Sequence, residues 1–158
     1  MVERPIRVYA DTSVFGGVFD EEFRKASVAF LEQVGEGRFE LVISALCRDE
    51  IEGAPADVRR LFAAVEDVAE LVETTDSAAR LRDAYLAAGI VSAQYDTDAL
   101  HVAIATVAGC AVIVSWNFKH IVHVQKAPLY NAVNALHGCD AIRICSPPEV
   151  IEYGEEEV

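Results

Sequence analysis

Short, almost wholly apolar runs constrain this chain more than any other feature. They are Ile6–Ala10, Leu41–Ile43 and Val112–Val114, with Ile142–Cys145 as a further one. The first three do not alternate apolar with polar residues, as a strand with one wet face does. A strand that is apolar on both faces must be covered on both. Stretches with helical periodicity lie between the runs, so the pattern predicts an α/β domain with a central parallel sheet under helices. Helices are expected at about Glu21–Val34, Ala45–Glu52, Ala56–Val65, Ser77–Ala88, Thr97–Ala108 and Pro128–Leu136. Their boundaries carry start and stop residues: Ser44, Asp76, Gly89, Asp96, Gly109 and Gly138. Asp67–Val72 reads either as a helix end or as a short strand.

At 158 residues the chain is long enough for one core and short for two. One domain is expected over residues 1–150. Pro147–Pro148 and Glu155–Glu157 suggest a solvated acidic tail over 151–158. The most apolar stretch, Ala99–Val114, holds His101 and Gly109 and is shorter than the roughly 20 residues a bilayer needs, so no membrane span is expected. The four cysteines form no CxxC pair, and the first residues lack the apolar stretch of a secretion signal. Both point to a reducing cytoplasm.

The formal charge of −13 argues against a nucleic-acid partner, because an acidic surface repels a polyanion. The charge is unevenly spread. Residues 1–98 hold 20 acids against 10 bases, residues 140–158 hold 6 against 1, and residues 99–139 hold no acid, two lysines and all four histidines. That segment is either the buried middle of the fold or a patch facing a substrate.

In a parallel α/β sheet, ligands gather at the carboxyl ends of the strands. Asp11 directly follows Ile6–Ala10, with Thr12 and Ser13 after it, and is either a site carboxylate or a turn residue. Glu50 lies within the apolar face that Leu46, Cys47 and Ile51 set on their helix, whereas Asp49 and Glu52 point away. An inward carboxylate needs a metal or a partner such as an inward arginine. Asp98 opens the most hydrophobic helix. Asp96 stands about 200° around that helix from it, so the two cannot share a site; Asp96 is read as the N-cap and Asp98 as the functional acid, or else as a complement to the helix dipole. Asn117, three residues past Val112–Val114, offers an amide oxygen to a hard cation or serves as a turn residue. Carboxylates brought together repel one another, and a divalent cation such as Mg²⁺ or Mn²⁺ removes that conflict. Such a centre suits phosphodiester hydrolysis.

Asp11-Thr12-Ser13, Glu50, the Asp98-Ala99-Leu100 helix start and Val114-Ser115-Trp116-Asn117-Phe118 together resemble the PIN-domain family, including toxin nucleases of VapC type. The resemblance implies a three-layer α/β/α sandwich and a Mg²⁺- or Mn²⁺-dependent endoribonuclease. It further implies an RNA substrate, frequently a homodimer and, for a toxin, a protein antitoxin that inserts a segment near the site. By motif match Asp11, Glu50 and Asp98 are metal ligands and Ser13 a supporting hydroxyl. Asn117 stands where many members carry a fourth acid. Lys119, His123 and Lys126 share a face if Phe118–Lys126 is helical, and are expected to contact the RNA backbone. Competing readings are a non-catalytic PIN-like module that binds RNA or a protein partner, and a phosphate-handling receiver or dehalogenase-like domain. The latter lacks its Asp-x-Asp here.

Overall fold

The computed structural model describes residues 4–153. Five strands form one sheet: β1 (Ile6–Ala10), β2 (Phe39–Ser44), β3 (Glu70–Val72), β4 (Val112–Val114) and β5 (Arg143–Cys145). Their order is β3-β2-β1-β4-β5 and every adjacent pair is parallel. The helices are α1 (Thr12–Gly17), α2 (Arg24–Gly35), α3 (Ala45–Ile51), α4 (Ala56–Glu66), α5 (Asp76–Ala87), α6 (Asp96–Val107), α7 (Ala127–Leu136) and α8 (Pro147–Val150), with a 3₁₀ turn at Ala93–Tyr95. They flank the sheet as an α/β/α sandwich, α1 packing with α2, α3 and α4, and α5 with α6 and α7.

The apolar runs behave as two-sided strands must. Val8, Tyr9, Ala10, Ile113 and Val114 are all 0% exposed. Each expected helix is present with ends within three residues of expectation. α2 starts at Arg24 rather than Glu21 because Asp20 Oδ1 accepts the backbone N–H of Glu22, at 2.9 Å, holding the chain in a turn. The ambiguous stretch divides: α4 ends at Glu66, and Glu70–Val72 pairs with Val42–Ser44.

One element is new and one expectation is corrected. α1 was not foreseen; it forms because Asp11 caps it, accepting from the Ser13 backbone N–H, and because Val14 and Phe15 are fully buried. Pro147–Pro148 opens α8 instead of a solvated tail, with Glu149 accepting from the backbone and hydroxyl of Ser146 at 2.9 and 2.7 Å. Gln33 of α2 then bonds the backbone of Glu152 in both directions, and Arg38 donates to Val150 O at 2.7 Å. Residues 151–153 are therefore fastened to α2, while Glu155–Glu157 lie outside the described residues.

The polar residues of α7 are structural. Tyr130 donates to His120 O at 2.8 Å, and Tyr85 donates to Asn134 Oδ1 at 2.5 Å. The Asn131 amide bonds both the N–H and the C=O of Ile142, at 2.8 and 2.9 Å. Asn131→Ala leaves those two backbone groups without a partner. At about 1–3 kcal/mol for each orphaned buried group, a loss of roughly 2–6 kcal/mol is expected. Urea unfolding checks it; an unchanged midpoint would show that water replaces the amide.

Candidate functional site

The chain runs from β1 through β2 to β3 on one side of the sheet, then continues with β4 and β5 on the other. The strand order thus switches between β1 and β4. Loops leaving the carboxyl ends of two such strands diverge and open a crevice. Asp11 follows β1 there and Ser115 follows β4. Ser115 Oγ donates to Asp11 Oδ2 at 2.7 Å, while the Ser13 hydroxyl and backbone N–H donate to Oδ1 at 2.5 and 3.2 Å. The two loops are stitched further by Trp116 N–H to Ser13 Oγ at 2.9 Å, while the Asn117 N–H donates within its own loop to Ser115 Oγ at 2.9 Å. Gly17 leaves room for Trp116, since a Cβ there would come within 2.6 Å of its Nε1. Asp11 is only 5% exposed. Burial pushes its carboxyl above the ordinary value; His101 and the two serine hydroxyls oppose that rise incompletely, and Glu50 adds to it.

Glu50 comes from α3, which Ser44 caps by accepting the Cys47 N–H at 3.2 Å. Its side chain is 36% exposed, so it sits at the rim rather than inside, but it turns back toward the crevice. Oε1 accepts from Thr12 Oγ1 at 2.8 Å and pairs with His101 Nε2 at 2.6 Å. Burial alone would raise the Glu50 carboxyl; the hydrogen bond and charge of His101, with Thr12, outweigh it and leave the carboxyl below its ordinary value. His101, on α6, is 2% exposed, and its Nδ1 meets the Tyr9 hydroxyl at 2.7 Å. That hydroxyl in turn meets Ser44 Oγ at 2.7 Å. Burial by itself would lower the imidazole, but the neighbouring Cys47 and the hydrogen bond to Glu50 raise it from 6.5 to about 10. Asp11 and Glu50 thus both lie within the field of His101.

A histidine raised from 6.5 to about 10 contributes stability fully below pH 6.5 and loses it as pH rises to about 10. Urea midpoints between pH 6 and 10 are expected to fall more for the wild type than for His101→Leu. Parallel curves would show that His101 is neutral in the fold.

Asp98 lies in the first turn of α6, half-buried, and among the described residues its carboxylate makes no hydrogen bond or ion pair. Its field reaches His120 and Tyr130. Asp98 and His101 are three apart on one helix and so share a face. Even so, among the described residues no group of three or more His, Cys, Asp or Glu is arranged to hold a metal ion. The three acids do not meet as one cluster.

Other expectations change in detail. Asp96 is not the N-cap: Tyr95 holds that position without a side-chain bond, and Asp96 is the first residue of α6. The Asn117 amide oxygen accepts the His120 N–H at 2.9 Å and so serves the turn. Phe118–Lys126 is a series of turns and not a helix, so Lys119, His123 and Lys126 do not share a helical face. Lys126 Nζ is bound to Ile90 O at 2.6 Å, Lys119 Nζ sits 5.5 Å over the Tyr95 ring, and His123 Nδ1 accepts the Gln125 N–H at 3.1 Å.

Tyr9, Thr12, His101 and Ser115 surround these acids without being among the site residues expected from sequence. Two signals were available. His101 follows Asp98 at helical spacing, and Ser115 directly follows the β4 run. Nothing local marks Tyr9, whose hydroxyl meets Ser44 and His101 only through the packing of helices over β1.

The family model described as "PIN domain" matches residues 7–119. No curated protein sequence matches the chain. Among solved structures, a chain of "VapBC2 from Rickettsia felis bound to a DNA fragment from their promoter" is similar in fold, with a TM-score of 0.55 at 13% identity, covering 72% of this chain and 90% of that one. No helix among the described residues is long and apolar enough to cross a membrane. With most of its length matched by the family and its sheet, switch point and Asp11 arranged as described, the chain belongs to the PIN domain family.

Proposed function

We propose that this chain is a Mg²⁺- or Mn²⁺-dependent endoribonuclease and the toxin of a toxin–antitoxin pair. The observation that carries the reading is Asp11. A carboxylate 5% exposed, at the switch point of the sheet, is paired with no lysine or arginine among the described residues. Two serine hydroxyls and the field of His101 offset the burial of this anion only in part, so the site favours a further cation. Asp11, Glu50 and Asp98 are hard oxygen donors of the kind Mg²⁺ and Mn²⁺ take, and Glu50 keeps Oε2 clear of its bonds to Thr12 and His101. Asp98 is uncommitted and faces the same way as His101, so the donor set fits the ion in type. When bound, the cation would polarise the scissile phosphate and lower the pKa of an attacking water. The chain's own part is to fix Asp11 through Ser13 and Ser115, to fix Glu50 through Thr12 and His101, and to present Asp98 from α6. Lys119, beside Tyr95, is proposed as an RNA contact, and a homodimer in the cytoplasm as the working form. The VapBC2 neighbour supports a protein antitoxin as partner.

A second reading is a PIN-like module without strong catalysis, which binds RNA or a protein. It is favoured by the engaged amide of Asn117 and by the lack of a three-group metal cluster among the described residues. Incubating RNA with the purified chain and Mn²⁺, with and without EDTA, separates the two. Internal cleavage that EDTA abolishes supports the enzyme. RNA that stays intact with Mn²⁺ at every chain concentration overturns it.

A further inference from the structure

We infer that His101 is a positioning residue that holds Glu50 in its working orientation, and that the Asp98-x-x-His101 turn of α6 thereby carries both one acid of the site and the holder of another. The inference rests on the metal-dependent reading above. It goes beyond it in assigning a role to a buried histidine that the acid set does not include.

The geometry is a continuous chain. Ser44, at the N-cap of α3, meets the Tyr9 hydroxyl at 2.7 Å; that hydroxyl meets His101 Nδ1 at 2.7 Å; and His101 Nε2 meets Glu50 Oε1 at 2.6 Å. Three of the four groups are closed to solvent: Tyr9 and Ser44 are 0% exposed and His101 2%. A ring with both nitrogens engaged cannot turn without breaking one bond. Nε2 consequently acts as a fixed donor aimed out of the core at the one member of the chain that reaches solvent. Glu50 needs such a donor. Its side chain is 36% exposed on a short helix, and without a tether it would sample several rotamers in water. Thr12 supplies a second donor to the same oxygen at 2.8 Å, so Oε1 is the held atom and Oε2 the one left for a ligand. Partners that orient a ligand in this way act on affinity through order rather than by contact, and their loss commonly weakens a metal by about 10–100-fold.

The experiment compares wild type, His101→Leu and His101→Gln. Leucine fills the buried space without a donor. Glutamine extends an amide N–H to about the place of Nε2. Mn²⁺ binding by titration calorimetry is expected to weaken about 10–100-fold in His101→Leu and to recover most of that loss in His101→Gln. The leucine variant is expected to stay folded by circular dichroism. Equal Mn²⁺ affinity in all three proteins would overturn the inference, as would glutamine behaving like leucine. A crystal structure of metal-free His101→Leu gives a readout that needs no metal: Glu50 is expected to leave Thr12, and a Glu50 unmoved would sink the idea. If the wild type binds no Mn²⁺, the metal reading fails, while this second measurement still decides whether His101 positions Glu50.

Discussion

Asp11→Asn is expected to cut Mn²⁺-dependent RNA cleavage by about 100-fold or more while leaving the protein folded and at least as stable as the wild type at pH 7. A metal ligand is worth several kcal/mol of transition-state stabilisation, and each ~1.4 kcal/mol is tenfold in rate. The stability half follows from the sign of the shift. Burial holds the Asp11 carboxyl above its ordinary 3.8, so the native state binds that proton more readily than the unfolded chain. Stability then falls as pH rises from 3.8 through the raised value, and at neutral pH the ionised carboxylate weighs against the fold. Asparagine cannot ionise. Its oxygen can still accept from Ser13, and its NH₂ can donate to Ser115, so the stitching between the two loops survives. Cleavage at the wild-type rate would remove Asp11 from the chemistry; a folded but much less stable variant would show that the ionised carboxylate holds the loops by its charge.

Asp98→Asn is expected to lose cleavage about as fully as Asp11→Asn, and Asp96→Asn to change it only a few-fold. Both acids stand in the first turn of α6, but two residues apart means about 200° of rotation. Asp98 shares a face with His101, and Asp96 does not. Since Asp96 makes no capping bond, its part is reduced to favouring the positive end of the helix, worth about 0.3–1 kcal/mol. Paired rate and urea measurements on the two variants decide it. Equal and severe losses would mean that Asp96 also reaches the substrate or the ion.

The layout of the fold was legible because a parallel strand covered on both faces must be apolar throughout. Ile6–Ala10 and Val112–Val114 could hardly have been anything else, and the helix ends followed from Ser44, Gly109 and similar residues. Asp11 could be placed for the same reason: a polar residue straight after a buried strand lies at a sheet edge. Glu50 was legible in direction from its helical angle but not in depth, since depth depends on how far α3 stands from its neighbours. The turns after β4 were misjudged because local hydrogen bonds, such as Asn117 to the His120 N–H, override a spacing that would otherwise suit a helix.

What the chain determined by itself is the order of its elements, the sheet they make and the strand end at which Asp11 stands, because hydrophobic burial and helix-end chemistry are set over a few neighbouring residues. What only the tertiary structure decided is which group answers which charge. Glu50 waits on a histidine 51 positions away, and Tyr9 on both that histidine and Ser44, 35 positions on. Such pairings depend on distances between helices packed over the sheet, and no local pattern of residue types encodes a distance across a core.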